Sequence, residues 1–211
     1  MIKIRWHGHA CFEISNSKTI VIDPHDGASI GIEPPRVKAD VILVSHEHYD
    51  HNKVKAVEKK GSIVVRESRE IDGIIIEAFK AYHDNSKGSK RGEIKIFKIE
   101  YNGFKICHLG DLGHVLDDEL IEKLGEIDIL FIPVGGIFTI DGGEAMEIIK
   151  KIDTKVIVPM HYKIEGLSLP INRLDEFIEM AKDYKIENIE NEIEIEKEDL
   201  PSQKEIWIFS L

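Results

Sequence analysis

The sequence predicts an α/β domain in which short β-branched strands outnumber helices. Three observations predict it. Short apolar runs rich in Ile and Val recur along all 211 residues, bounded by Gly, Asn, Asp or Pro. Helical periodicity interrupts them at only a few places. The order also changes midway. The first half reads as antiparallel meanders with one helix; the second reads as a further hairpin, then alternating strand and helix.

From the N-terminus, the strand patterns are residues 2–6, 11–15 and 19–23, the last two joined by a turn at Asn16-Ser17-Lys18. The next strand covers 41–45 and contains the apolar run Val41 to Val44, as long as any in the chain. A weak helical pattern from Asn52 to Lys60 follows, with Gly61 as its expected end. Strands are then expected at 63–65 and 74–81, the latter following a turn at Asp72-Gly73. Strands at 94–101 and 104–109 flank Asn102-Gly103, a strong hairpin signal. Leu116, Leu120, Ile121 and Leu124 share one helical face. A strand at 129–133 precedes a second stripe, Ala145, Ile148, Ile149 and Ile152. A strand at 156–160 precedes a third, Leu174, Phe177, Ile178 and Ala181, with Asn172 as the expected N-cap and Asp175 three residues on. The acidic run 187–199 reads as a surface hairpin or short strand, and a strand at 205–209 closes the chain. No linker, repeat or low-complexity stretch interrupts it, so one domain spanning 1–211 is expected.

Composition narrows the function classes. Lys and Arg total 28 and Asp and Glu 39, a formal net charge of −11. Such a balance repels polyanions at long range, so neither nucleic acid nor an anionic membrane is an expected partner. No apolar run approaches the ~20 residues that cross a bilayer, and the N-terminus shows no secretory apolar region. Cys11 and Cys107 lack a CxxC neighbour and read as buried free thiols. Together these features predict a cytoplasmic protein. The ten histidines are the outstanding feature.

Four potential metal ligands crowd Ser45-His46-Glu47-His48-Tyr49-Asp50-His51, where a strand ends and the chain turns. An apolar core has no use for three imidazoles and a carboxylate, each needing a partner. Divalent metal satisfies them together. In a loop, His46 and His48 can reach one metal while Asp50 and His51 reach a second. His83, Asp111 and His161 each follow an apolar strand in the same way, and ends of strands are where such folds gather functional side chains.

His46-x-His48-x-Asp50-His51, followed by His83, Asp111 and His161, resembles the metallo-β-lactamase superfamily. Trp6-His-Gly-His-Ala-Cys-Phe12, Val21-Ile-Asp-Pro24, Leu109-Gly-Asp111 and Val158-Pro-Met-His-Tyr162 are similar to its branch of small hydrolases related to L-ascorbate-6-phosphate lactonase. The resemblance implies a four-layer αβ/βα sandwich of two mixed β-sheets flanked by helices, with two divalent metals at one rim. His46, His48 and His83 would hold the first metal, Asp50, His51 and His161 the second, and Asp111 would bridge them. Zinc is the expected metal, with manganese and iron open. A metal-bridging hydroxide would then cleave a small ester, lactone or phosphoester. Asp50 and Asp111 would fix its geometry and help move protons.

Other residues carry secondary expectations. Asp23 reads equally as a turn residue or as a partner that orients metal ligands. His9, rather than His7, is expected beside the catalytic centre. His25 and His114 follow strands at the metal end and either line the cleft or, the favoured reading, lie at the surface, and His108 reads as a satisfied core histidine. Lys87, Lys90 and Arg91 lie on the Gly/Ser-containing loop 84–92 and could form a mobile, substrate-binding lip for an anionic group. The expected partner is a small molecule, with a homo-oligomer possible. Two alternatives compete: a phosphodiesterase or nuclease, disfavoured by the net charge, and a non-catalytic metal-binding scaffold, for which seven ligands exceed the usual closed set of four.

Overall fold

The computed structural model describes residues 1–211. In chain order the elements are β1 Ile2–Trp6, β2 Phe12–Ser15, β3 Thr19–Ile22, β4 Ala39–Leu43, α1 Val54–Val57, β5 Glu58–Val65, β6 Arg69–Ile71, β7 Ile74–Tyr82, β8 Glu93–Tyr101 and β9 Phe104–His108. Then come α2 Asp118–Leu124, β10 Ile127–Pro133, α3 Gly142–Lys151, β11 Thr154–Met160, α4 Asp175–Met180, β12 Lys185–Ile189, β13 Glu192–Ile195 and β14 Glu205–Phe209. A six-stranded sheet runs β13-β1-β2-β3-β4-β5; an eight-stranded sheet runs β12-β14-β11-β10-β9-β8-β7-β6. Both are mixed.

Strand alternation decides which side chains meet. Ile4, Phe12, Ile14, Ile20, Ile22, Val41 and Leu43 of the small sheet share one core with Ile76, Ile99, Phe131 and Val158 of the large sheet. Phe12 and Phe131 lie 4.1 Å apart between ring centres, directly joining the two sheets. Each such side chain stabilises the fold by roughly 1.5–3 kcal/mol through burial. The alternate residues Val21, Ile42 and Val44 pack on the other face, with Val57 of α1. β10 is buried at all seven positions, the signature of a strand covered on both faces. Asp141 and Glu144 form a capping box that starts α3, and the Asp117 side chain caps α2.

The hairpin turns at Asp72-Gly73 and Asn102-Gly103 are as expected, with positive φ at all four residues. Four expectations differ. The helix expected over 52–60 is one turn, Val54–Val57, because Glu58–Gly61 extends β5 to reach Ala39. Asn172 does not cap α4: its backbone bonds Gly135 and Lys163, and the helix starts at Leu174 without a side-chain cap. The first half is only partly antiparallel, since β3, β4 and β5 pair in parallel. Of the two readings of the run 187–199, the hairpin fails and the short strand holds. The run supplies β12 to the large sheet and β13 to the small one. The chain crosses between them at Asn191, whose backbone and side chain both bond Trp6.

The topology gathers one end of many strands. His9 follows β1, Asp23 follows β3, Ser45 to His51 follow β4, His83 follows β7, Asp111 follows β9 and His161 follows β11. These segments come from both sheets and meet at a common rim.

Candidate metal centre

Asp111 lies at the centre. Its Oδ2 is 3.1 Å from His51 Nε2, 3.2 Å from His161 Nε2, 3.3 Å from His83 Nε2 and 3.7 Å from His46 Nε2. His46, His48 and His83 form one group of converging donor atoms; His9, Asp50, His51 and His161 form another. Asp111 therefore touches both. Every one of these residues is buried except His48, which is exposed at the mouth.

Close backbone approach makes this convergence possible. A Cβ at Gly113 would overlap the backbone of His83 and Asp84, and one at Gly135 would overlap the His161 carbonyl. His9, Asp23 and His161 all adopt positive φ, rare for residues with a Cβ. His161 N–H donates to the His9 carbonyl at 3.2 Å, so two of the three strained residues hold each other. Strain of this kind costs ~1–3 kcal/mol per residue and persists where surrounding contacts over-determine it.

Hydrogen bonds set the tautomers. Asp23 is fully buried; its Oδ1 accepts from Ser45 N–H at 2.7 Å and its Oδ2 from the Ser45 hydroxyl at 2.6 Å. The Ser45 oxygen then accepts from His46 Nδ1 at 2.9 Å, and Asp23 Oδ2 from His51 Nδ1 at 3.2 Å. Both rings thus turn an Nε2 lone pair toward the centre. Asp23 is the orienting partner rather than only a turn residue. Ser45 completes the relay and was not anticipated; its signal is a hydroxyl directly before the ligand cluster at a strand end.

The residues fit divalent metal. One carboxylate oxygen cannot satisfy four imidazole nitrogens as hydrogen-bond donors. Nor can His51 donate from Nε2 while neutral, because its proton is on Nδ1. Buried His46 Nε2 and Asp111 Oδ1, both at the centre, have no protein partner. A cation among the Nε2 atoms and carboxylates resolves the conflict. Charge follows the same logic. Burial first, reinforced by neighbouring imidazoles, pushes His9 and His46 down to about 3, keeping both rings neutral. His51 differs: burial opposes charge on it too, but Asp111 and Asp50 raise its pKa well above the ordinary range, so without a cation there the ring takes up a proton that a metal at Nε2 would replace. Asp111 and Asp50 resist burial and stay ionised against these imidazoles.

His9 Nε2 lies 3.1 Å from Asp50 Oδ2 and 3.2 Å from His51 Nε2, with its ring packed on His161. It joins the site as expected. His7 instead pairs with Glu13 at 3.0 Å. His108 is the satisfied core residue expected, bonding Ala10 and Gly110. His25 corrects the surface expectation: it is fully buried and donates to the His7 carbonyl at 2.9 Å. His114 is half-buried, bonding Tyr82 and Val115. Both cysteines are buried and free.

A cleft of about 280 Å³ opens onto the centre, lined by His48, His83, Asp111 and His161 among others. A wider depression of about 680 Å³, near Arg5 and Arg36, contains none of the clustered ligands. Of the three cations expected at the lip, only Arg91 reaches the cleft; Lys87 and Lys90 do not line it. The lip is not loose either. Asp84 carboxylate oxygens accept four backbone N–H groups, from Ser86, Gly88, Lys90 and Arg91, at 2.7–3.0 Å.

Two mixed sheets with a His/Asp donor cluster at one rim define a metallo-β-lactamase-fold protein built around a metal centre. The Beta-lactamase superfamily domain model matches residues 3–161. A UPF0173 metal-dependent hydrolase of Thermococcus onnurineus is 33% identical over 190 residues, covering 77% of this chain and 85% of that protein. One from Thermoplasma acidophilum is 34% identical over 187 residues, covering 76% and 83%. A crystal structure from Thermotoga maritima, proposed there to be a Zn-dependent hydrolase of the metallo-β-lactamase superfamily, superposes with a TM-score of 0.80 at 35% identity, covering 99% and 98%. The chain belongs to the metallo-β-lactamase superfamily and, within it, to the UPF0173 metal-dependent hydrolase family. No helix is long and apolar enough to cross a membrane.

Proposed function

We propose that the protein is a dinuclear metal-dependent hydrolase of a small ester, lactone or phosphoester. The observation that carries this reading is the convergence of four imidazole Nε2 atoms from both donor groups on Asp111 Oδ2. His46, His48 and His83 would hold one ion, Asp50, His51 and His161 the other, with Asp111 shared. His/carboxylate donors suit zinc, and the T. maritima relative is proposed to use it. When bound, such ions supply Lewis acidity toward a substrate oxygen and toward water at neutral pH.

The chain's own residues do the rest. Asp23 and Ser45 hold the His51 and His46 rings against rotation. Neutral His9 donates from Nε2 to Asp50 Oδ2, which fixes that ionised carboxylate and would leave its other oxygen to face the ion. Buried walls limit water to the mouth beside His48. The cleft volume suits a small molecule rather than a polymer. A nucleic acid is disfavoured, since Arg91 is the one Lys or Arg lining the cleft of a chain with net charge −11. The lactone option rests on the Trp6–Phe12 and Val158–Tyr162 resemblance.

The test is a panel of lactone, thioester, phosphomonoester and phosphodiester substrates on metal-reconstituted protein, with Asp111→Asn as control. The reading expects turnover of at least one small substrate, lost on chelation, restored by metal and absent in the variant. Activity that survives both chelation and Asp111→Asn would overturn it.

A further inference from the structure

The cleft mouth carries a feature that metal binding does not use. Loop 83–93 folds around the buried Asp84 side chain, whose four accepted N–H bonds leave no oxygen for the cleft. Gly92 N–H donates to Gly88, and His83 N–H to Gly92, closing the loop on itself. A loop tied this way delivers Arg91 to a fixed place. There its guanidinium carbon lies 5.3 Å from the Phe138 ring centre, a cation–π contact.

Phe138 arrives on a separate segment, the turn after β10. Ile137 in that turn is held at φ 61, a strained conformation for a β-branched residue. Both Arg91 and Phe138 line the cleft beside His83, Asp111 and His161. Arg5, Arg36, Arg66 and Arg173 each reach a carboxylate. Arg69, on β6 and outside the cleft lining, and Arg91 reach none, so Arg91 is the one unpaired arginine at the cleft. In a chain with 39 acidic residues, an arginine is thus braced by an aromatic ring and kept away from carboxylates, with its planar donors unspent at the mouth of a metal cleft.

We infer that Arg91 is the specificity-determining residue and that the substrate carries a compact oxyanion, a carboxylate or a phosphate, besides the bond that is cleaved. The inference rests on the hydrolase reading for the word substrate, but the anion site stands on Arg91, Asp84 and Phe138. Phe138 keeps the guanidinium plane in place, and Asp84 keeps its backbone in place. Lys87 and Lys90, outside the cleft lining, have no part in it.

The test has two arms, both on metal-loaded protein. The first compares two 4-nitrophenyl esters of similar acyl length, the neutral butyrate and the anionic glutarate monoester. Wild type should favour the glutarate ester at least tenfold in kcat/KM. Arg91→Gln should collapse that ratio at least tenfold, mainly through KM, and Arg91→Lys should restore part of it. The second arm measures binding of glutarate and of glycerol phosphate by calorimetry, without turnover. At least one should bind wild type and weaken tenfold or more in Arg91→Gln; which one weakens distinguishes carboxylate from phosphate. If neither ester turns over but the anion weakens in the variant, the anion site stands and the ester option of the hydrolase reading fails. If esters turn over with a ratio indifferent to Arg91, or if neither anion binds, the anion site is overturned and the hydrolase reading is untouched.

Discussion

Asp23 shows how much one side chain can organise here. It accepts from Ser45 twice and from His51 once, all in complete burial. Asp23→Ala strands three buried donors and should lower folding stability by about 3 kcal/mol or more, read by denaturant unfolding. It should also weaken metal affinity ~10–100-fold by releasing the rings of His46 and His51, read by chelator competition. An unchanged affinity would remove Asp23 from the centre. Ile137 offers a test of opposite sign. Ile137→Gly relieves a positive φ and should raise stability by about 1 kcal/mol by thermal unfolding; a loss would mean the side chain's packing outweighs the strain. At this scale the residues that converge at the rim were legible in the sequence, His46 to His51 from a polar cluster between two apolar patterns and His83, Asp111 and His161 with the help of the family resemblance. Arg91 was not separable from Lys87 and Lys90. Which cation turns to the cleft depends on four backbone bonds to Asp84, and composition does not encode those. The signal available was Asp84 itself, an Asp opening a Ser/Gly loop and suited to gathering backbone N–H groups.

Among elements, strands were the more legible, because Ile and Val alternation survives any choice of partner. Helix α1 was not. Lys and Glu over 58–60 fit a helix locally, but pairing with Ala39 draws them into β5. The hairpin reading of 187–199 failed for a related reason. Ile186 and Ile189 of β12, and Ile193 and Ile195 of β13, look alike locally, yet the first pair joins the large sheet and the second the small one. Sheet choice is a long-range decision, here enforced by Asn191 at Trp6. The β3–β4 pair has a titratable tie. Asp40 Oδ2 accepts from Thr19 N–H at 3.0 Å, which with the Lys59 ion pair lowers its pKa. A lowered carboxyl adds stability above its unfolded value near 3.9 and loses it as pH falls through the folded value. Asp40→Asn should therefore cost stability near pH 6 and progressively less toward pH 3. A wild-type-minus-variant difference that is flat across this range would contradict the assignment.

For the whole molecule, two sheets share one core and place the ends of six strands at one rim. The fold class was legible from the strand-rich pattern, and its sandwich form from the resemblance of the histidine motif. Its acidic surface and its centre have separate electrostatic roles. The net charge of −11 would repel polyanions, while the His/Asp donors would gather cationic charge inside once metal binds. The central claim is that this rim holds two ions sharing Asp111. The most direct measurement is metal content per chain by elemental analysis, on protein purified without added metal and again after reconstitution. Two per chain are predicted in wild type after reconstitution, falling to one or fewer in Asp111→Ala if that variant keeps its fold by circular dichroism. A folded wild-type protein that still binds less than one ion per chain after reconstitution would contradict the account.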